Sequence, residues 1–173
     1  MKLCKAVAVI CLAPALAGSS FAQTTTFKPQ LAFSVEDEDV PHPVKLPDSV
    51  YSALKRDVMH DDPEVDTPPR TWFSAERLKQ PSPQVNLYLV MAKGQLRGAN
   101  VNEFWLVRND TQSQEATILW NAPEHDVELR FKTGQPYPEI HAAKMSAVHL
   151  WEADFSFRNG KYIVTRSHDE DMK

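Results

Sequence analysis

Asn159-Gly160 constrains this chain more than any other pair of residues. Asn-Gly is the preferred occupant of a two-residue type I′ turn, whose twist matches that of antiparallel strands. Before it, Trp151, Ala153, Phe155 and Phe157 alternate with Glu152, Asp154, Ser156 and Arg158. That period of two puts one apolar and one polar face on a half-buried strand. The turn then dictates the register: Arg158 opposes Lys161, Phe157 opposes Tyr162, and Phe155 opposes Val164. A chain ending in such a hairpin is committed to an antiparallel sheet.

The segments upstream agree. Leu87-Tyr88-Leu89-Val90-Met91 and Phe104-Trp105-Leu106-Val107 are apolar on both faces, as strands covered on both sides are. Ala116 to Trp120, Asp126 to Phe131 and Val148 to Phe157 are further strand segments. Gly94, Gly98, Gly134 and Gly160 punctuate them, the spacing of a meander. The sequence predicts an α+β fold: a mostly antiparallel β meander, as a sandwich or curved sheet, with one short N-terminal helix. Its β-rich domain is expected over 70–166, with a polar tail over 167–173 that frays.

Residues 1–22 have the pattern of a cleavable secretory signal peptide. Lys2 and Lys5 supply the basic start, and Ala6 to Gly18 is uncharged and apolar. Ser20-Phe21-Ala22 places small residues for cleavage after Ala22. The apolar stretch falls short of the ~20 residues that span a bilayer. No second such stretch follows, so no membrane span is expected after cleavage. Export to the periplasm or out of the cell is the resulting expectation. Cys4 and Cys11 both fall inside the signal, so the mature chain has no disulfide or thiolate to use. Its stability must come from an apolar core, and about 150 residues suffice for one.

Charge is unevenly placed. The chain carries 19 Lys and Arg against 23 Asp and Glu; without Lys2 and Lys5 the balance is 17 to 23, a net of −6. That composition argues against a nucleic-acid partner. From Gln23 to Pro69 there are ten acidic and four basic residues, whereas 70–173 is balanced. Nine of the 13 prolines lie between Pro29 and Pro83. Residues 23–40 are expected to be extended or poorly ordered, with Glu36-Asp37-Glu38-Asp39 as a solvated acidic run. Leu46, Val50, Ala53 and Leu54 recur at helical spacing behind Pro47 and Asp48, predicting a helix near 47–58. The acidic, Pro-rich stretch from His60 to Pro69 is expected to be a linker.

Several of these residues carry a resemblance. Gly98-Ala99-Asn100 precedes Phe104-Trp105, and Phe155-Ser156-Phe157-Arg158-Asn159-Gly160-Lys161-Tyr162 closes the domain. The order resembles a loose group of short exported proteins of Gram-negative bacteria with GAN…FW and terminal F-x-F-(D/N)-G-K-x-Y segments. Glu139 stands where the group tends to have Asp. The resemblance covers about Trp72 to Val164; it implies export and a β-rich fold, and it assigns no activity.

The search for chemistry yields few candidates. A Gly-x-Ser-x-Gly elbow is missing, and no His-Glu-x-x-His helix or Cys/His finger occurs. Gly94 to Asn100 joins strand to strand and reads as a turn. Glu139 and His141, at i and i+2 on a strand, share a face and could form an acid–base pair. His125-Asp126 is a second such pair. Trp105 and Phe104 face opposite ways, so Trp105 could offer a partner surface; Tyr137, between two prolines, could make contacts from a loop. The candidate binding residues are therefore Trp105, Asn100, Tyr137, Glu139 and His141. No catalytic residue, metal site or cofactor is assigned. The leading expectation is an exported binding protein, an inhibitor or immunity-type partner of another envelope or secreted protein. A small envelope hydrolase using a His/carboxylate pair is the alternative.

Overall fold

A computed structural model describes residues 31–78 and 82–172. The expected signal peptide and its cleavage point lie outside the described residues. The elements, in order, are β1 (Leu31–Ser34), α1 (Asp48–Asp61), β2 (Phe73–Arg77), β3 (Val85–Ala92), β4 (Asn102–Asp110), β5 (Ala116–Glu124), β6 (Asp126–Arg130), β7 (Glu139–Met145), β8 (His149–Arg158) and β9 (Lys161–Asp171). They form a five-stranded sheet, β1-β6-β7-β8-β9, and a four-stranded sheet, β2-β3-β4-β5. Every strand pair is antiparallel.

The two sheets pack face to face, with α1 on the far side of the four-stranded one. This explains why β3 and β4 are apolar on both faces. Leu87, Leu89, Met91, Phe104 and Leu106 meet Val127, Leu129, Ile140 and Ala142 of the five-stranded sheet. Tyr88, Val90, Trp105 and Val107 point the other way, onto Val50, Leu54 and Val58 of α1. Each fully buried Leu or Val contributes about 1.5–3 kcal/mol through area removed from water. The five-stranded sheet has only one covered face, so β6 and β7 alternate buried with half-buried residues.

The N-terminal part belongs to this body: over its described residues 23–40 is extended where β1 runs, but it is paired into a sheet and packed rather than poorly ordered. Phe33 is 2% exposed in the inter-sheet core, and β1 pairs with β6 from Leu31↔Leu129 to Ser34↔Asp126. The acidic run is only partly solvated. Asp37 accepts the Ser34 amide at 2.8 Å. Asp39 accepts Lys93 Nζ at 2.7 Å and also takes the Ser74 hydroxyl. Burial pushes the Asp39 carboxyl up, but the Lys93 and Ser74 hydrogen bonds outweigh it and hold the group below its ordinary value.

The helix runs Asp48–Asp61 with Pro47 as its N-cap, three residues longer at its end than the expected 47–58. Its buried side chains are Val50, Ala53, Leu54 and Val58. Arg70 ties its start down, reaching Asp48 at 2.5 Å and lying 4.2 Å from the centre of the Tyr51 ring.

In the last hairpin Asn159 and Gly160 have φ of 51° and 86°, the two positive values that a type I′ turn demands. The register is the one the turn dictates: Arg158↔Lys161, Phe157↔Tyr162 and Phe155↔Val164. The expectation of a frayed tail is corrected. β9 continues to Asp171, because β8 is long enough to offer a ladder that far, as His149↔Asp171 shows. His149 then holds Asp169 at 2.6 Å and Asp171 at 3.1 Å. A bulge after Arg158-side pairing, at Thr165, shifts the register between Asp154 and Phe155.

Candidate functional site

The outer face of the five-stranded sheet is a broad surface that no other layer of the described residues covers. Strand alternation fixes what it displays. With Val127, Leu129, Ile140, Ala142 and Ala153 turned into the core, Glu128, Arg130, Glu139, His141, Glu152 and Asp154 must point out. The register then lines Glu128, His141, Asp154 and Arg166 in one row across β6, β7, β8 and β9. Acid and base alternate along that row, the favourable arrangement for cross-strand neighbours.

His141 is the centre of this face. Its Nδ1 lies 2.9 Å from Asp154 Oδ1, a bond in which the ring N–H donates and the carboxylate accepts, and its Nε2 is 3.9 Å from Glu152. Arg130 reaches the same Asp154 oxygen at 3.3 Å and Glu128 at 2.9 Å. Arg130, His141, Glu152 and Asp154, with Arg166 and His168, line a shallow depression of about 280 Å³. A second depression, toward β1, shares His141 and Glu152. An imidazole held by a carboxylate on one nitrogen offers the other as a proton acceptor, or, when protonated, as a cation. The two arginines and three carboxylates around it suit a polar, charged ligand.

Of the sequence candidates, His141 is at the centre and Glu139 beside it, but they do not pair. Glu139 takes Lys132 Nζ at 2.5 Å and the Ser156 hydroxyl at 3.4 Å, while the partner of His141 comes from the next strand. The reading of Trp105 as a partner surface is corrected. Trp105 is 2% exposed beneath α1, its ring against Phe73 at 5.8 Å and its Nε1 donating to Asp57 at 2.7 Å. Asn100 is exposed in the loop between β3 and β4, on the other sheet. Tyr137 is half-buried and packs on Phe157 at 4.2 Å, so it braces the last hairpin. His125 and Asp126 do pair, at 2.9 Å. Asp154, Glu152, Arg130 and Arg166 were missed as site residues. Their shared face was readable from alternation, but their meeting with His141 depends on the β7–β8 turn at Ser146 to Val148, which has no Gly, Pro or Asn to mark it.

A second group of carboxylates lies where α1 ends over the β4–β5 ladder. Glu103 is pushed up to about 7 by burial and by Asp57 and Asp61. On the opposite face of that ladder, between the sheets, Glu124 is also pushed up to about 7, by burial, with Lys144 opposing. Burial raises Asp57 too, against the Trp105 hydrogen bond. Among the described residues, no three His, Cys, Asp or Glu side chains are placed to hold a metal ion. No described helix is long and apolar enough to cross a membrane.

Comparison with family models, with curated proteins and with solved structures gives no match to this chain.

Proposed function

We infer that this is an exported binding protein that engages another envelope or secreted protein through the outer face of its five-stranded sheet. It acts in the periplasm or outside the cell, as an inhibitor or immunity-type partner. The observation that supports this most is the contrast between layers. Among the described residues, the four-stranded sheet is covered on both faces, whereas the five-stranded sheet has one face uncovered and displays the row from Glu128 to Arg166 on it. A face with opposed charges in fixed register discriminates partners by charge complementarity. The signal-like 1–22 segment and the resemblance to short exported proteins support the location.

The test places a photo-crosslinking residue at His141 or, as a control, at Lys55 on the helix layer, in the mature chain within its own envelope extract. A defined adduct at position 141 and none at 55, lost when Arg130 is changed to Glu, supports the reading. Equal labelling at both positions overturns it.

A hydrolase is the second reading, and one geometric feature favours it: Asp154 holds His141 Nδ1 and leaves Nε2 free to take a proton. Turnover of an ester, a phosphoester or peptidoglycan that disappears in a folded His141→Ala variant would move the assignment there.

A further inference from the structure

Among the described residues, each sheet edge in this fold is blunted except one. β5 carries Pro123, which has no N–H to offer. β2 is bridged from outside by Pro43↔Glu76 and by the Val44 amide on the Ala75 carbonyl. β1 is four residues long. β9 is an edge strand of 11 residues with no proline or glycine, and it is exposed almost throughout. Every second residue of such an edge turns its N–H and C=O away from the sheet, a template for another strand.

Charge along β9 is segregated. Lys161 lies at its start and Arg166 at its midpoint, and Asp169, Glu170 and Asp171 at its end. Antiparallel pairing of β9 with itself therefore brings opposite ends together. We propose that two copies of this chain associate edge to edge through residues 166–170 of β9, about a two-fold axis that passes beside His168.

The axis must be perpendicular to the sheet for the strands to run antiparallel, so the outer faces of the two copies are continuous. Each residue then meets one of the same facing. Arg166, His168 and Glu170 share the outer face, since their β8 partners are Asp154, Glu152 and Leu150. Centring on His168 sets Arg166 against Glu170 of the second copy, twice, and Ser167 against Asp169 of the second copy, twice. A slide by one pair in one direction sets Arg166 against His168; in the other it sets Asp169 against Asp169. Of these three, only the central register sets Arg166 against Glu170; it also brings the two His168 rings together at the axis, each 3.2 Å from Glu170 of its own chain, and opposes no two carboxylates. Arg166 makes no ion pair with a described residue of its own chain, so it is free to serve the second copy. The bulge at Thr165 ends the regular stretch and confines the contact to a short segment, which makes the association weak and concentration-dependent.

The test is sedimentation equilibrium of the chain from Gln23 onward, from about 5 µM to about 500 µM, a range that brackets weak association. The mass is expected to rise from one chain toward two. Arg166→Glu and Glu170→Arg, each replacing two attractions by two repulsions, should each weaken association roughly tenfold or more. The double variant should restore it to within about threefold, since the pair is only exchanged. Circular dichroism confirms that each variant is folded. One-chain mass over the whole range, or folded variants whose double is no stronger than the singles, overturns the proposal. Cross-linking of a different protein at His141 is unaffected by that outcome, so the two readings fail separately.

Discussion

Glu124 stands directly across the ladder from Asn102, and both side chains are sealed between the sheets, at 1% and 0% exposure. Neither is satisfied: Glu124 Oε2 and both amide atoms of Asn102 have no hydrogen-bond partner. The nearest countercharge, Lys144 Nζ, is 3.9 Å from Glu124 Oε1. A buried carboxylate so poorly supplied is cheaper to keep protonated, which is why it is held up to about 7 from an ordinary 4.5.

Stability should follow. A group whose folded pKa is raised contributes stability that is fully present below its unfolded value and is lost as pH rises through the folded one. Glu124 and Glu103 therefore favour the fold below about pH 4.5 and cease to do so by about pH 7. Asp39, held low, works oppositely and loses its contribution as acid is added below its ordinary 3.8. Urea midpoints should be higher at pH 5 than at pH 8. Glu124→Gln, which stays neutral, should flatten part of that difference and gain on the order of 1–3 kcal/mol at pH 8. A variant weaker than the parent at pH 8 would contradict the account.

The pairing of His141 with Asp154 fixes a tautomer. With Asp154 accepting from Nδ1, the neutral ring carries its proton there and leaves Nε2 bare. Long-range nitrogen–proton NMR at a pH where the ring is neutral should show that form. In Asp154→Asn the usual preference for Nε2–H should return, with less than about 1 kcal/mol lost, because both side chains remain partly in water. An Nε2–H form in the parent protein would rule out the orientation on which the hydrolase reading draws.

The last hairpin was legible down to its register because a two-residue turn leaves no freedom between Phe157 and Tyr162. β3 and β4 were legible as doubly covered strands, since Tyr88 and Val90 needed burial as much as Leu87 and Leu89 did. β1 was not. Its four residues lie in a Pro-rich, acidic stretch, and Phe33 is buried only because β6, almost a hundred residues later, offers an edge. The tail failed for the same reason: Asp169 and Asp171 read as solvated charge until His149 is set against them. Local pattern carries turns and alternation; it does not carry which distant edge a short or charged segment will find. The site was half legible for that reason, with His141 named from its own strand and Asp154 brought to it by a turn without markers.

Gly160 tests the hairpin directly. Its φ of 86° is one that side chains other than glycine's rarely adopt, and nothing crowds the place where a Cβ would sit. Gly160→Val should therefore cost about 1–2 kcal/mol through backbone strain alone. Asn159→Gly, at φ 51°, should cost far less. Thermal unfolding of both variants checks the ordering, and a reversed order would mean that the turn is not type I′.

Whether α1 is part of the core or an appendage is decided by Leu54, fully buried against the β3–β4 face. If the helix were a separable N-terminal addition, Leu54→Ala would leave the unfolding of the sandwich untouched. The packing of Leu46, Val50, Leu54 and Val58 on Tyr88, Val90, Trp105 and Val107 says otherwise. We expect Leu54→Ala to lower global stability by about 2–5 kcal/mol, in a single transition seen alike by far-ultraviolet circular dichroism and by tryptophan fluorescence. Trp105 reports on the helix interface and Trp120, 5.7 Å from Phe155, on the space between the sheets. Two separated transitions would show that the helix layer and the sandwich unfold independently.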